Sequence, residues 1–459
     1  MSSALAILQT ATMEPCRPWP RSVLTAEQWS ALMRADVSLL AAWADTTQVY
    51  ALFRDAASDR VLPVSIAVES GFYPALSPHH PGAALYERAI RDLWGHMAAD
   101  GADRAWLDHG HWPHTWPLAI RPGPRPPSAD PPAFLEVPEL LGVWGQPVMQ
   151  WPVGPVGPGI GEAAHLRLTL NGTRIVRAES RLGYAHKGSL TLMRSKSPRI
   201  AARFAARLAG DATVAHSIAF AAATEAALTV EAPPRAMALR QLMAALERIA
   251  TRLDDLTTMA GMLGAAHLHG RCGLQQEYLR RELAATFGHR LMMDCVVPGG
   301  VSGDADANGL SALRQVLGAL MREMPVIQGY FQSDGIAGRL TGLGAAGRAG
   351  DAADRCQQRL DAIAADAAVA VTLLRDLPEG PLTVALPPHS GEGLGYAQSA
   401  RGDIWHWLRL DHGQIAAVFP NDPGWALWPL AEAVLAGAEA ADAALICSSL
   451  GLPVSGMDL

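Results

Sequence analysis

The feature that most limits how this chain can fold is a proline-rich run, RPGPRPPSADPP, at Arg121–Pro132. Proline fixes its own φ angle and has no amide hydrogen, so such a run forms neither an α-helix nor a central β-strand. It is typical of a semi-rigid linker between folded parts. The run therefore predicts that residues 119–140 connect an N-terminal domain, residues 1–118, to a larger domain, residues 141–459.

The N-terminal part mixes helical and strand patterns. A helix is predicted over Thr25–Trp43, and two runs, Val49–Phe53 and Val61–Val68, are predicted to form strands. After a turn that contains proline, apolar and charged residues recur with helical spacing over Ala83–Trp94. These patterns predict a small α+β domain.

The larger part begins with a hairpin signal. The strand-like segments His165–Leu170 and Arg174–Ala178 flank an Asn-Gly turn. Long segments rich in Ala and Leu follow with helical periodicity. The predicted helices cover Arg199–Leu228, Pro234–Met262, Leu274–Phe287, Gly309–Met324 and Ala352–Leu374.

Two more strands, Ile404–Leu410 and Gln414–Phe419, and a helix near Pro429–Ala438 are predicted toward the C-terminal end. The predicted fold class is therefore α+β: a small α+β domain followed by a mainly helical domain that carries small sheets.

Composition excludes several classes of function. Hydrophobic residues make up 49% and charged residues 18% of the 459 residues, which is typical of an ordered globular protein. A net charge of −7 without a cluster of Lys and Arg argues against nucleic acid binding. A run of about 18 apolar residues, which a membrane-spanning helix needs, is not found. The first residues lack the basic and apolar segments of a secretion signal, so we expect a cytoplasmic protein.

The cysteines are scattered, and no two of them form a CxxC pair. Free thiols without ligand spacing fit a reducing cytoplasm and do not indicate a metal site. The five positions are Cys16, Cys272, Cys295, Cys356 and Cys447.

A turn and a helix in the N-terminal part carry a recognisable signature. Tyr73-Pro74-Ala75-Leu76 precedes Glu87–Gly95, an acidic-basic helix that ends in an Asp-x-aromatic-Gly turn. The segment resembles the 30-kDa peripheral subunit of respiratory complex I. An ordinary amphipathic helix with a glycine C-cap is the alternative. The resemblance implies a 30-kDa-like domain at residues 1–118.

Six short motifs follow one another in the larger part. They are Pro152-Val153-Gly154-Pro155, Gly183-Tyr184-Ala185-His186-Lys187-Gly188, Leu246-Glu247-Arg248-Ile249, Pro298-Gly299-Gly300-Val301, Ala400-Arg401-Gly402-Asp403 and Trp428-Pro429-Leu430. The series resembles the large subunit of membrane-bound nickel-iron hydrogenases and the homologous quinone-pocket subunit of complex I, the 49-kDa subunit. With the N-terminal signature, nearly the whole chain resembles the fused large subunit of formate hydrogenlyase-type complexes.

The resemblance breaks down at the metal ligands. Ala209, Ala212, Pro453 and Gly456 stand where the hydrogenase family has the four cysteines of two CxxC segments. A nickel-iron centre needs thiolates, and none of these residues supplies one. The comparison therefore predicts no metal in this chain, as in the energy-converting hydrogenase-related complexes, and excludes hydrogen activation.

Two other residues match functional positions of the family. Glu162 stands at the position of a proton-handling glutamate, and Arg401 at that of an arginine over the metal. Both are candidate catalytic residues by resemblance. The alternatives are a charge at a strand end and an arginine paired with a carboxylate.

The quinone ligands of complex I are also replaced. The family's tyrosine falls on Gly210 and its histidine near Ala163, and neither side chain forms a hydrogen bond. Asp211 and His216 lie on the same stretch and are candidates for supplying protons to a reduced quinone. Three more polar residues are candidates for a quinone pocket, although a buried structural role is the alternative for each. They are His165, Tyr184 and His186.

The resemblance implies a peripheral subunit on the inner face of the cell membrane, bound to an iron-sulfur small subunit and to membrane-arm subunits. The first hypothesis is a redox subunit that passes electrons from the partner's cluster to quinone or another carrier. The chain itself is expected to bind no cofactor other than such a quinone. The second hypothesis is a coupling scaffold without catalysis, and the third is a paralogue with only an assembly role.

Overall fold

The computed structural model describes residues 3–102, 104–110, 112–124, 148–157, 159–333, 335–345, 347 and 350–459. Most of the proline-rich run lies outside the described residues, so the division of the chain at residues 119–140 stays a prediction. The α+β class predicted from the sequence is confirmed, since small sheets accompany a large helical bundle.

The N-terminal part is built around a five-stranded sheet with the order β1-β2-β5-β4-β3. β2 and β5 run parallel, and the other neighbours in this sheet are antiparallel. Its elements are α1 (Ser3–Leu8), β1 (Thr12–Glu14), β2 (Arg21–Leu24), α2 (Ala26–Met33), β3 (Val37–Ala44), β4 (Gln48–Asp55), β5 (Val61–Ala67), β6 (Phe72–Pro74), α3 (Ala84–Trp94), β7 (Met97–Ala99), β8 (His114–Thr115) and β9 (Gly123–Pro124).

The helix predicted over Thr25–Trp43 is wrong in its second half. The Thr25 side chain accepts a hydrogen bond from the backbone N–H of Gln28 in a capping box, and α2 ends at Met33. Residues 37–44 form β3, which pairs with β4. This stretch is apolar almost throughout, so its pattern does not separate helix from strand, and pairing with β4 decides. β4, β5 and α3 confirm the other three predicted elements.

The larger part combines a helical bundle with two three-stranded sheets, β10-β11-β12 and β15-β16-β17, both antiparallel. Its elements are β10 (Met149–Val153), β11 (His165–Asn171), β12 (Arg174–Arg181), α4 (Ser189–Met193), α5 (Pro198–Ala205), α6 (Thr213–Leu228), α7 (Pro234–Met262), α8 (Ala266–Phe287), β13 (Val296–Val297), β14 (Gly300–Val301), α9 (Ala307–Ser333), α10 (Ile336–Leu340), α11 (Ala352–Arg375), β15 (Gly391–Gln398), β16 (Asp403–Asp411), β17 (Gln414–Asn421), α12 (Gly424–Leu435), α13 (Ala443–Leu450) and α14 (Ser455–Asp458).

The long helix predicted over Arg199–Leu228 is two helices, α5 and α6, separated by residues 206–212. The backbone N–H groups of Val214 and Ala215, in the first turn of α6, donate to the buried carboxyl group of Glu247. Glu247 therefore satisfies amides that no residue of the same helix pairs with, and the helix begins there. The partner lies 33 residues away in sequence, so local periodicity could not place the break.

The sheet predicted from Ile404–Leu410 and Gln414–Phe419 has a third strand, β15, that begins with alternating glycines. An ideal Cβ atom at Gly393 or Gly395 would lie 2.1 Å from a backbone oxygen of α6, that of Ala223 or Ala219. Glycine lets the strand lie directly against the helix backbone. A glycine-rich segment is not a strand signal, which is why the sequence did not predict β15.

One hydrophobic core covers α7, α8, α9 and α11, and another joins the N-terminal sheet to β15–β17. In the second core, the ring of Tyr50 packs 4.7 Å from that of Trp407. Arg21, from the N-terminal sheet, forms a buried ion pair of 2.8 Å with Glu392. In the part of the chain that the structure describes, no helix combines the length and apolar character needed to cross a membrane.

Candidate functional site

The structure brings together the two segments in which the family has its metal ligands. Lys187 joins them: its Nζ atom donates to the carbonyl oxygens of Leu208, at 2.7 Å, and Ser455, at 3.3 Å. The first acceptor precedes Ala209, and the second precedes Gly456. The two segments that resemble the family's ligand segments are therefore close together in space.

Ala209 and Ala212 lie in an apolar environment. Each is 2% exposed and belongs to one small hydrophobic cluster. The other buried members are Ala215, Ala219, Ala397 and Ile404. A methyl group packed among methyl groups offers no electron pair to a metal ion.

Gly456 lies against a buried carboxylate. An ideal Cβ atom at Gly456 would be 2.2 Å from Oδ2 of Asp422, so any side chain here would displace that group. Oδ1 of Asp422 accepts from the backbone N–H of Gly424 at 2.8 Å. Oδ2 is 3.1 Å from Nε2 of His216. A carboxylate therefore occupies the space beside the fourth ligand position.

His216 continues this contact into a buried chain of three side chains. Its Nδ1 atom is 3.0 Å from Nε2 of His406, and both rings are fully buried. Burial lowers the pKa of His406 well below its ordinary value, so this imidazole is neutral. Because the Asp422 carboxylate only accepts, Nε2 of His216 donates to it. The other ring nitrogen of His216, Nδ1, forms its hydrogen bond with Nε2 of His406.

Pro453 supplies only its carbonyl oxygen, which accepts from Nε1 of Trp428 at 2.7 Å. Two residues earlier, an ideal Cβ atom at Gly451 would lie 2.2 Å from Nη1 of Arg401. Glycine at position 451 thus makes room for the guanidinium group. These neighbours do not fit a nickel-iron centre, because none of the four expected positions has a ligand side chain.

Arg401 is paired with two carboxylates. Its Nε atom is 3.0 Å from Asp211 and its Nη1 atom contacts Asp255. Asp255 also accepts from Arg359 at 2.9 Å. Burial opposes ionisation of Asp255, but the two arginines overcome it and lower the pKa of that carboxyl group. The cluster is balanced in charge, and Arg401, which stands at the position of the family's arginine over the metal, is paired here with carboxylates.

Asp211 differs from Asp255, because it has only one arginine partner and its side chain is 31% exposed. The loss of hydration raises the pKa of Asp211, and Arg401 opposes the shift. Asp211 does not bind His216 directly. Asp422 connects the two, since it interacts electrostatically with Asp211 and forms a hydrogen bond with His216.

Glu162 holds the start of α14. Its Oε2 atom accepts from the backbone N–H groups of Val454, at 2.8 Å, and Ser455, at 2.7 Å, and Oε1 accepts from the Ser455 hydroxyl. Glu162 therefore caps the segment that contains Pro453 and Gly456, and its role in proton handling stays a prediction.

Asp458 binds the same segment to the loop after β12. Its carboxylate accepts from the backbone N–H groups of Gly183 at 2.8 Å and Ala185 at 2.7 Å. Its carbonyl oxygen accepts from Nδ1 of His186 at 2.6 Å. Burial raises the pKa of Asp458 to about 6, although the two amides oppose the shift.

The three candidates for a quinone pocket lie in different surroundings. His165 is a buried residue of β11 beside Gly154, and burial lowers its pKa. Tyr184 packs edge-on against His109, with ring centroids 4.6 Å apart. His186 lines a surface groove, and its ring packs against that of Trp112. Of the three, only His186 combines a cavity with a hydrogen bond to the C-terminal segment.

Sequence reasoning missed several charged residues of the site. Two of them, Lys187 and Glu247, are part of motifs that the sequence analysis recognised, but it assigned them no function. The other four carried no local signal, because each lies on a separate element. The missed residues are Lys187, Glu247, Asp255, Arg359, His406 and Asp422. Burial raises the pKa of Glu247 to about 8. Among the described residues, no group of three His, Cys, Asp or Glu side chains is arranged to hold a metal ion.

Comparison with known proteins shows which subunits this chain is similar to. The chain is 25% identical over 442 residues to hydrogenase-4 component G of Escherichia coli, which covers 85% of this chain and 76% of that protein. It is 26% identical over 447 residues to formate hydrogenlyase subunit 5 of the same organism, covering 82% and 75%. An NADH-quinone oxidoreductase subunit from Helicobacter pylori is 27% identical over 183 residues, covering 40% and 45%. No family model matches the sequence.

A solved structure has the same fold. A chain of the membrane-bound sulfane sulfur reductase, an archaeal respiratory membrane complex, superposes with a TM-score of 0.64 at 19% identity, covering 68% of this chain and 98% of that one. The chain is thus a homologue of subunits of membrane-bound hydrogenases and of complex I, and the resemblance inferred from the six motifs is confirmed. More particularly, the proteins that it matches over most of its length include component G of hydrogenase-4 and subunit 5 of formate hydrogenlyase.

Proposed function

We propose that this chain is the large subunit of a hydrogenase-like and complex I-like oxidoreductase that works without a nickel-iron centre. In this proposal the chain takes part in electron transfer from an iron-sulfur partner to quinone or another carrier, coupled to ion translocation. The homologues are subunits of membrane-bound, energy-converting complexes, so the chain is a member of such a complex with other subunits as partners. The iron-sulfur small subunit, the carrier, the ion and the cytoplasmic face belong to the proposal.

The observation that carries the absence of nickel is the position of Asp422. Its carboxylate is fixed by His216 and by the amide of Gly424 in the space that a side chain at position 456 would need. Alanines 209 and 212 are enclosed by other apolar side chains. The four missing thiolates and the carboxylate beside position 456 are two separate observations, and both support the absence of a nickel-iron centre.

A redox role is supported by carboxyl groups whose pKa is raised. Reduction of a quinone by two electrons consumes two protons and gives a hydroquinone, so a site of this kind needs proton donors. The raised pKa of Asp211, at the exposed edge of the cluster, suits that task. Glu247, with a pKa near 8, lies behind it and interacts with it electrostatically.

The alternative is a coupling scaffold, and the closed charge network favours it. The charged groups of the cluster pair with one another and leave no charge for a ligand to balance. They are the arginines 401 and 359 and the aspartates 211 and 255. In the scaffold function, this network of ion pairs would transmit a conformational change from the iron-sulfur partner to the membrane subunits. The two functions differ in whether electrons leave through a small molecule.

The test is purification of the native complex through a tag on this chain, with nickel, iron and quinone measured per complex. Electron transfer from the reduced complex to a short-chain benzoquinone is then followed. We expect iron without nickel, and quinone reduction that falls at least tenfold in Asp211→Asn but not in the exposed control Asp411→Asn. Stoichiometric nickel would overturn the proposal. Intact partners without quinone reduction would favour the scaffold.

A further inference from the structure

A groove of about 290 Å³ lies between the segment that follows α3 and the loop that follows β12. The rings of Trp112 and His186 both line the groove and pack against each other on one side of it, with ring centroids 4.7 Å apart. Leu93, Leu118 and Leu190 give the groove an apolar floor. We call it the Trp112–His186 groove. Its mainly apolar and aromatic lining suits an aromatic ligand with few polar groups.

The hydrogen bond between His186 and Asp458 determines which ring nitrogen carries the hydrogen. Nδ1 of His186 lies 2.6 Å from the carbonyl oxygen of Asp458. A carbonyl oxygen only accepts, so Nδ1 is the donor and Nε2 of the neutral ring is an acceptor. Burial lowers the pKa of His186 below its ordinary value of 6.5, although the bond to Asp458 opposes the shift, so the ring is neutral at pH 7.

Nε2 of His186 is available to a ligand. Within the described part of the chain it has no hydrogen-bond partner, and it lies 4.0 Å from the ideal Cβ position of Gly188, which also lines the groove. Lys187 lines the groove as well, but its ammonium group is bound to the carbonyl oxygens of Arg207, Leu208 and Ser455. The polar atom that His186 offers to a ligand in the groove is therefore an acceptor, Nε2.

Asp458 fixes the position of this acceptor. Its carboxylate binds the amides on both sides of Tyr184, those of Gly183 and Ala185, and its carbonyl oxygen binds the His186 ring. Asp458 thus accepts three hydrogen bonds. Together they fix the path of the loop after β12 and the orientation of the His186 imidazole ring. Asp458 acts through His186 and is a positioning residue.

We propose that the Trp112–His186 groove binds the reduced, hydroxyl-bearing form of an aromatic carrier, with Nε2 of His186 accepting the hydroxyl hydrogen. A hydroquinone donates such a hydrogen, whereas the oxygens of a quinone only accept and gain nothing from an unprotonated nitrogen. The inference rests on the proposed function, because it names the redox form of the carrier that this subunit holds. It adds an acceptor, a positioning residue and a preference for the reduced form.

The test measures binding of three probes to the native complex at pH 7.5 without oxygen: a short-chain benzohydroquinone, its quinone and its dimethyl ether. We expect the hydroquinone to bind about tenfold more tightly than either of the others, as one hydrogen bond predicts. His186→Phe keeps an aromatic wall without the acceptor and should bring the three affinities together. His389→Phe, at an exposed histidine outside the groove, should leave the preference unchanged.

Asp458→Asn should reduce the preference several-fold while the affinity for the dimethyl ether stays the same. A merely structural defect would weaken all three probes together. The inference is overturned if His186→Phe retains the preference, or if the wild type binds the quinone more tightly than the hydroquinone. Wild-type complex that reduces quinone without this preference would refute the inference alone. A preference that depends on His186, without any electron transfer, would refute the proposed function alone.

Discussion

His216 and Asp422 are joined by a hydrogen bond of 3.1 Å between Nε2 and Oδ2, and at most 1% of either side chain is exposed. The two residues are 206 positions apart in sequence. Their contact connects the start of α6, with Ala212, to the end of β17 and, through Gly456, to α14. Because of this contact, the region where the family has its metal ligands is a packed part of the core.

Removing the Asp422 carboxylate should destabilise the protein. Asp422→Ala leaves the Nε2–H group of His216 and the amide of Gly424 buried without an acceptor, which costs about 1–3 kcal/mol. The measurement is the midpoint of urea unfolding. Asp411→Asn, at a side chain that is 71% exposed, is the control and should change the free energy of unfolding by less than about 0.5 kcal/mol. Equal effects of both variants would contradict the finding.

Restoring a cysteine at position 456 should be unfavourable by itself. Gly456→Cys forces a side chain into the Asp422 carboxylate and should cost about 1–3 kcal/mol of unfolding free energy. In the double variant Gly456→Cys/Asp422→Ala the two closest carboxylate atoms, at 2.2 and 2.5 Å, are gone and only the Cβ atom, at 2.9 Å, remains. The steric conflict is thus reduced, so the double variant should be more stable than the sum of the single effects predicts. Strict additivity in the double-mutant cycle would show that the two groups do not compete for space.

Glu247 should make stability depend on pH. Its pKa is near 8 in the folded protein, above the ordinary 4.5, because burial disfavours the charged form. The folded state therefore holds a proton that the unfolded state releases, and this contribution to stability is lost as pH rises from about 4.5 to 8. Each pH unit within this window costs up to about 1.4 kcal/mol.

The measurement is the unfolding midpoint at several pH values between 5 and 8. Glu247→Gln resembles the protonated carboxyl group and should flatten the profile by about one proton. Glu277→Gln, at an exposed position of α8, should leave the slope as it is in the wild type. An unchanged slope in Glu247→Gln would assign the proton to another group.

The close approach of β15 to α6 can be tested with two glycines. Gly395→Ala places a Cβ atom 2.1 Å from the carbonyl oxygen of Ala219 and should lower the free energy of unfolding by at least about 2 kcal/mol. Gly270→Ala, inside α8 with open space around it, should raise the free energy of unfolding by about 0.5–1 kcal/mol. Thermal unfolding of both variants gives the comparison. A tolerated Gly395→Ala would mean that strand and helix are further apart.

Much of the fold was predictable where a pattern is local and strong. The strands β4, β5, β11 and β12, the long helices α7 and α11, and the glycine that ends α3 carried signals within their own residues. The failures share one cause. Thr25–Trp43 and Arg199–Leu228 were each divided by contacts with residues outside the predicted helix: with the next strand, β4, in one case and with Glu247, 33 residues away, in the other.

The candidate site divides in the same way. Sequence motifs located Glu162, Asp211, His216 and Arg401, and the structure places them in or beside one cluster. Their roles were beyond the sequence, because a role depends on the partner. Arg401 is held by Asp255, and Glu162 caps α14. His165 was not distinguishable from His186 by residue type, and only the structure showed which of the two lines a groove.

The sequence by itself determined that four thiolates are missing, that the chain is mainly helical with small sheets, and which class of subunits it resembles. Each of these depends on residue identity or on periodicity along the chain. The tertiary structure alone decided that Asp422 takes the space beside Gly456 and that Asp458 orients His186. Those pairs join elements far apart in sequence, and a hydrogen bond between such elements depends on how they pack, which no local pattern encodes.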